Sequence, residues 1–232
     1  MRKKLWFIFV YGCVLCCMVV TALSVDKTVT TLSEAAPPVR KICFIIDAGH
    51  GGEDGGATSC TGILESKINL EISLRLNDLM HLLGMDTNMI RTTDVSVYTE
   101  GNSIATRKVS DLKQRVKMVN AIDNAVLISI HQNQFNDSRY SGAQIFYGSN
   151  ADSKPLAEQL QNEFKRTLNK DSNRNIKPAS GIYLLQQVRC PAVLIECGFI
   201  SNQAEELKLR DPVYQKNICC IIATALFRYA NT

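Results

Sequence analysis

Residues 45–56 read IIDAGHGGEDGG, in which an apolar run ends on Asp47 and a glycine-rich turn with His50 at its centre follows at once. The apolar run is typical of a buried β-strand. Glycine adopts backbone conformations that other residues avoid, and it lets another group approach closely. One histidine in such a turn means little alone, so its interpretation depends on which residues follow the other strands.

Apolar runs of strand length alternate with amphipathic helical patterns along the rest of the chain. The pattern predicts strands at 41–47, 85–91, 126–131, 142–147, 182–185 and 192–196. It predicts helices at 64–83, 111–124, 156–168 and 212–229. Near-continuous apolar strands between helices indicate a parallel sheet covered on both sides. The predicted fold is therefore three-layer α/β, with a mainly parallel central sheet of about six strands and helices on both faces.

The N-terminus has the pattern of an export signal or membrane anchor. Three basic residues at 2–4 precede an uncharged run at 5–25, which is long enough to span a bilayer. We expect a signal or anchor at 1–25, a linker at 26–40 and a catalytic domain at 41–232. A retained anchor is favoured, although small residues at 22–24 also fit a cleavage site. Either outcome places the folded part outside the cytoplasm, associated with the membrane or secreted.

Composition narrows the function classes. The 232-residue chain carries a formal charge of +4 and contains no long Lys/Arg run, so nucleic acid is not an expected partner. Of its nine cysteines, six lie beyond the N-terminal run and form no pair of C-x-x-C knuckles. We interpret them as small buried side chains in preference to a disulfide framework or a thiolate zinc site.

Three predicted strands end on, or just before, a residue that can bind metal or move protons. His50 follows the first strand, His131 ends the third and Glu196 ends the sixth. Glu65 lies in the first turn of the helix that follows the glycine-rich turn. Because functional sites of open α/β sheets lie beyond the carboxyl ends of the strands, these four side chains can converge.

Two histidines and one carboxylate are a common catalytic zinc set, which leaves a fourth position for water. Such a site needs a further carboxylate to take the proton of that water and pass it to a leaving amine. His50, Glu65 and His131 fit the ligands, and Glu196 fits the general base and acid.

The residues alone leave other interpretations open. The two histidines can fall at strand ends by chance, and Glu65 can simply complement the helix dipole. Glu71 competes with Glu65 as a ligand, whereas His81 in the last helical turn is interpreted as a dipole partner. A phosphate site is disfavoured because the turn lacks the P-loop pattern and carries acidic residues.

Five motifs, in this order, resemble the zinc-dependent N-acetylmuramoyl-L-alanine amidases of the type 3 catalytic domain. They are DAGHGG at 47–52, LESK at 64–67, IRTTD at 90–94, SIHQN at 129–133 and IECGFISN at 195–202. The resemblance covers essentially residues 41–232. It departs from the family pattern at Ala48, where proline is usual, and at Cys197, where small or apolar residues vary.

The resemblance implies hydrolysis of the amide between N-acetylmuramic acid and L-alanine in peptidoglycan. It carries the zinc ligands onto His50, Glu65 and His131 and the catalytic glutamate onto Glu196, and it gives Arg91 and Asn133 no firm role. A catalytically silent wall-binding module and a zinc peptidase that cuts within the stem peptide remain the alternatives.

Within that family the chain is most similar to the germination-specific amidases of endospore formers. This implies a role in spore cortex maturation, as a step toward muramic-δ-lactam, and a location such as the forespore intermembrane space. The alternative is a general amidase of vegetative wall turnover or cell separation. Residues 134–141 are too few for the autoinhibitory helix that some members insert there. Control would then come from location, zinc loading or an accessory protein.

Overall fold

A computed structural model describes residues 41–170 and 172–231. The predicted anchor at 1–25 and linker at 26–40 lie outside the described residues. Within the part of the chain that is described, no helix is both long and apolar enough to cross a membrane.

A single six-stranded sheet forms the centre of the fold. Its strands are β1 (Cys43–Ala48), β2 (Asp86–Met89), β3 (Ala125–Asn133), β4 (Gln144–Tyr147), β5 (Lys177–Pro178) and β6 (Ala192–Phe199). They lie in the order β2-β1-β3-β6-β4-β5, and every neighbouring pair is parallel except β4 and β6. The predicted mainly parallel sheet is confirmed.

Helices cover both faces of this sheet. They are α1 (Glu65–Leu82), α2 (Ile104–Asn120), α3 (Ser153–Thr167), α4 (Tyr183–Gln187), α5 (Gln203–Arg210) and α6 (Pro212–Ala230). One apolar core lies between the sheet and α1, α3 and α6, and a second lies between the sheet and α2 and α4. The three-layer α/β prediction is therefore confirmed.

The sheet departs from the sequence prediction at one strand. Residues 182–185 were expected to form the fifth strand, but Tyr183–Gln187 is a short helix and the fifth strand is the two-residue Lys177–Pro178. Leu184 and Leu185 of this helix are buried in the second apolar core, on one face of the sheet. A short apolar run satisfies a strand and a buried helical turn equally well, which explains the error.

Two helices also differ from the prediction. Helix α2 begins at Ile104, not near residue 111, because Ser103 and Thr106 form a reciprocal capping box at its start. Helix α5 was not predicted, and Asn202 caps it by accepting a hydrogen bond from the backbone N–H of Glu205.

The strand register brings the predicted site residues to one edge of the sheet. Residues Asp47 and Ala48 at the end of β1 pair with Ser129 and Ile130 of β3. One position further along β3, His131 pairs with Glu196 of β6. The carboxyl ends of β1, β3 and β6 therefore meet where α1 begins.

Candidate metal centre

The glycine-rich turn after β1 folds back on itself and starts helix α1. Gly51 and Asp54 exchange backbone hydrogen bonds of 2.8 and 3.2 Å. The N–H groups of Glu65 and Ser66, which have no partner inside the helix, donate to carbonyls of Ala57 and Gly55. The turn therefore places His50 opposite the first residue of the helix.

His50 lies between two carboxylates. Its Nδ1 is 2.8 Å from Asp54 Oδ2, and its Nε2 is 3.3 Å from Glu65 Oε2. Burial disfavours the charged ring, but the hydrogen bonds to Asp54 and Glu65 outweigh it and raise the pKa of His50 to about 9. The contact with Asp54 occupies Nδ1, so Nε2 is the ring nitrogen that remains available to bind a metal ion.

Glu65 is the centre of the cluster. One carboxylate oxygen accepts from the N–H of Ala57, and the other from the N–H of Gln132 and the side-chain amide of Asn69. The second oxygen also lies 2.9 Å from Nδ1 of His131. Although burial opposes ionisation, the two histidines hold the pKa of Glu65 well below its usual range.

His131 completes a group of three possible ligands. The rings of His50 and His131 meet edge to face with centroids 4.9 Å apart. One donor atom from each of His50, Glu65 and His131 lies within 4.8 Å of the others. The structure thus brings the three predicted ligands together.

Two glycines leave the space that the side chains of His50, Glu65 and His131 occupy. A Cβ on Gly49 would lie 2.2 Å from Nε2 of His131, and a Cβ on Gly56 would lie 2.6 Å from Glu65 Oε2 and from the His50 ring. At these two positions the group that approaches the glycine closely is therefore a side chain of the site itself.

Glu196 lies beside this group without joining it. It is the direct neighbour of His131 across the β3–β6 pairing, so both side chains project from the same face. Its Oε2 is buried and has no hydrogen-bond partner among the described residues. Burial, and then the charge of Glu65, raise the pKa of Glu196 to about 7 against the opposing effect of the two histidines.

The competing candidates lie elsewhere. Glu71 accepts a hydrogen bond from Gln215 of α6, and His81 contacts the hydroxyl of Thr87 at 2.6 Å. Cys197, the residue after Glu196, is buried, and burial raises the pKa of its thiol well above the usual value, so this side chain does not suit a role as a nucleophile. The six cysteines at 41–232 are free, and two of them are buried.

A buried ion pair supports the strand end that carries the turn. Asp47 accepts hydrogen bonds from Arg115 of α2 and from the hydroxyl of Ser129. Arg115 also donates to the carbonyls of Ala48 and His50, at 3.1 and 2.8 Å. Burial disfavours both charges, but each partner shifts the pKa of the other toward ionisation.

Arg91 holds the same turn from the other side. It donates to the carbonyls of Ala48, Gly49 and Ser66 at 2.8 to 3.1 Å. Sequence reasoning gave Arg91 no firm role, and the structure makes it a support of the turn between β1 and α1.

Asp54 and Arg115 were not predicted as site residues. The spacing of Asp54 four residues after His50 is the only sequence signal that could have identified it. Arg115 stands in a helix far from the turn in sequence, and no local pattern connects the two.

Comparison with known families matches residues 44–228 to N-acetylmuramoyl-L-alanine amidase. The germination-specific N-acetylmuramoyl-L-alanine amidase of Bacillus subtilis is 36% identical over 232 residues, which is 99% of this chain and 96% of the relative. The N-acetylmuramoyl-L-alanine amidase LytC of Bacillus subtilis is 31% identical over 77% of this chain, which spans 33% of that relative.

A solved structure with the same fold is the CwlD amidase from Clostridioides difficile in complex with the GerS lipoprotein. It is 38% identical, with a TM-score of 0.79 over 82% of this chain and 99% of the solved one. The catalytic domain of CwlV, an amidase of Bacillus (Paenibacillus) polymyxa, aligns with 26% identity and a TM-score of 0.68 over 82% of this chain and 98% of that one.

Proposed function

The chain belongs to the N-acetylmuramoyl-L-alanine amidase family and is a peptidoglycan amidase, and we propose that it is a zinc enzyme of the spore cortex. The observation that carries the zinc proposal is the convergence of His50, Glu65 and His131 beside the unpartnered Glu196.

The donor set fits zinc. Nε2 of His50 and Nδ1 of His131 both face the carboxylate of Glu65, at 3.3 and 2.9 Å. Imidazole nitrogens and a carboxylate oxygen are the ligands of catalytic zinc sites, and Asp54 behind His50 is the kind of partner that orients a ligating histidine. Bound there, zinc would polarise the substrate carbonyl and favour ionisation of water.

Glu196 is proposed as the residue that moves the proton. A carboxylate with a pKa near 7 can both accept and donate a proton at neutral pH. Its free Oε2 would accept the proton of the attacking water and deliver it to the nitrogen of L-alanine as the amide bond breaks. The lactyl carboxylate and a stem peptide with a free amino terminus would be the two products.

The spore role is supported by the relatives. One is a germination-specific amidase that this chain matches over almost its whole length. The structurally similar CwlD amidase was solved together with a lipoprotein. We propose that this chain cleaves cortex peptidoglycan outside the cytoplasm, as a step toward muramic-δ-lactam, with membrane association through residues 1–25 and with an accessory protein as regulator.

Product analysis tests the reaction. The protein should release stem peptides that begin with L-alanine from cortex peptidoglycan, and a chelator should stop this release. Cuts inside the stem peptide would support a peptidase instead, and release from vegetative wall alone would contradict the cortex role. If purified enzyme hydrolysed cortex glycan at full rate unaided, a required partner would be excluded.

Metal analysis of histidine variants tests the site. His50→Ala or His131→Ala should lower the zinc content, because each removes one of three protein ligands. The chain has three histidines, so His81→Ala is the matched control and should keep its zinc. Unchanged zinc in both ligand variants would refute the site.

A further inference from the structure

A basic cleft of about 700 Å³ lies where the loop after β3 meets the loop before β5. Its described lining includes the cations Arg139, Lys170, Arg174 and Lys208 and one carboxylate, Glu205. Glu205 already accepts hydrogen bonds from the N–H groups of Gly142 and Phe199. The cleft therefore presents an excess of positive charge.

Arg174 is fixed in position without a salt bridge to any carboxylate of the described residues. Its guanidinium carbon lies 4.5 Å from the ring centroid of Phe199 and 5.6 Å from that of Tyr140, and its Nε donates to the Ser141 carbonyl at 2.9 Å. Among the described residues, which exclude Asp171, no carboxylate lies within 4.0 Å of Arg174. Stacking on ring faces leaves the in-plane N–H groups of an arginine available.

Arg139 lies in the same cleft but, unlike Arg174, forms an ion pair with a described carboxylate. Its guanidinium makes three hydrogen bonds to the carboxylate of Asp137, at 2.7 to 3.1 Å, and its side chain is 89% exposed. Arg139 therefore already has a carboxylate partner, whereas Arg174 is ordered and forms no salt bridge with a described carboxylate.

Gln144 connects Arg174 to the reaction centre. It is the first residue of β4 and pairs directly with Glu196 of β6, so the two side chains project from the same face. Arg174 Nη1 lies 3.5 Å from Oε1 of this buried glutamine. With neighbouring strands about 4.8 Å apart, the guanidinium lies on the order of 10 Å from the Glu196 carboxylate.

We propose that Arg174 binds the free carboxylate of the second residue of the stem peptide and makes the enzyme selective for stems that carry it. In peptidoglycan this residue is a glutamate linked through its side chain, so its α-carboxyl group is free unless it is amidated. Two residues of extended chain span about 7 Å. With the leaving nitrogen within about 3 Å of Glu196, the carboxylate reaches Arg174.

The chemistry of the side chain favours a carboxylate. The planar guanidinium fork matches the two oxygens of a carboxylate and forms charge-assisted hydrogen bonds with it. A carboxamide has one acceptor oxygen and no charge, so it loses most of this interaction. The inference rests on the proposed cleavage of the bond to L-alanine, because that reaction places the second residue near Arg174.

The test compares two synthetic muropeptides that differ only at the second residue, one with the α-carboxylate and one with the α-carboxamide. The wild-type enzyme should cleave the carboxylate form with a kcat/KM at least about tenfold higher. Arg174→Gln should reduce this ratio to near one, mainly through a higher KM for the carboxylate form, while its zinc content stays unchanged. Arg139→Gln is the matched control and should retain the wild-type ratio.

Several results would overturn the inference. They are equal cleavage of both forms by the wild type, a retained preference in Arg174→Gln, or an equal loss in Arg139→Gln, which would indicate a diffuse positive field. The wild-type comparison needs no variant, so poor folding of Arg174→Gln leaves the test intact. Failure to cleave either muropeptide would contradict the proposed reaction itself, whereas equal cleavage would contradict only the role of Arg174.

Discussion

Asp54→Asn tests whether the carboxylate behind His50 sets the affinity of the metal centre. The carboxylate accepts from His50 Nδ1 at 2.8 Å, which orients the ring with Nε2 toward Glu65. Asparagine keeps the shape and an acceptor oxygen but removes the charge. Loss of such a partner typically weakens metal binding 10- to 100-fold. Because the acceptor is kept, we expect about tenfold, or about 1.4 kcal/mol, above about pH 9, where the proton on His50 no longer competes with zinc in either protein.

Competition for zinc with a chromophoric chelator measures this change. The assay should also show a pH dependence, because Asp54 and Glu65 raise the pKa of His50 to about 9. Zinc must displace that proton, so wild-type affinity should fall as the pH is lowered from 9 toward 6. Without the charge of Asp54, His50 holds its proton less tightly, and the pH dependence should shift to lower pH.

Lys108→Met provides the matched control. Lys108 lies 3.1 Å from the same Asp54 carboxylate at the surface, and its removal leaves the contact with His50 in place. It should change zinc affinity less than about twofold, as expected for an exposed pair. Zinc affinity that is the same in Asp54→Asn and in the wild type would refute the orienting role of Asp54.

Three further substitutions test the proposed role of Glu196, the close packing at Gly49 and the buried Arg115–Asp47 ion pair. Glu196→Gln should keep its zinc and lose about 10²–10⁴-fold in kcat, because an amide cannot accept the proton. Gly49→Ala should lower zinc content and activity, since its Cβ would lie 2.2 Å from His131 Nε2. Arg115→Met should destabilise the fold by about 3–5 kcal/mol in urea unfolding, because it leaves Asp47 buried and unpaired. Arg115 lowers the folded-state pKa of Asp47, so this stabilisation should be present above pH 4 and decline at lower pH.

Each of these has a result that would count against it. Near-normal turnover by Glu196→Gln would remove that residue as the base. Gly62→Ala is strained at a φ of +88° but has open space around the new Cβ, so it should cost stability and keep its zinc. An equal zinc loss there would show that Gly49→Ala acts only through general instability. Arg166→Met removes one exposed arginine from Glu163, which keeps its contact with Arg228, and should cost about 1 kcal/mol or less. A similar loss of unfolding free energy in Arg115→Met and Arg166→Met would contradict a larger contribution from the buried Arg115–Asp47 pair.

Much of the fold was predictable because buried parallel strands carry a strong local signal. The runs at β1, β3 and β6 are apolar on both faces, and each led directly to a candidate site residue at its end. The two-residue β5 has no such pattern, since Lys177 and Pro178 are exposed and pair only with β4. The start of α2 was missed because its first turns are mostly polar, and the Ser103 cap outweighed the weak periodicity.

The chemical residues were easier to predict than the residues that support them. His50, Glu65, His131 and Glu196 follow from one rule about where strands end. Arg91 and Arg115 contact the same turn from distant parts of the chain, and within that turn both donate to backbone carbonyls, which leave no mark in the sequence. Predicting the contacts of Arg115 requires knowing that α2 packs against the sheet at β3.

The two arginines explain how His50 is kept in an unfavourable conformation. His50 has a φ of +60°, a region that costs a non-glycine residue about 1–3 kcal/mol. Arg115 donates to the carbonyl of His50, and Arg91 donates to those of the two residues before it. Such charge-assisted hydrogen bonds contribute about 1.5–3 kcal/mol each, which is enough to hold the strained turn. The buried Asp47 at the end of β1 neutralises part of the resulting positive charge. The Arg115–Asp47 ion pair therefore stabilises both the strand end and the conformation of His50.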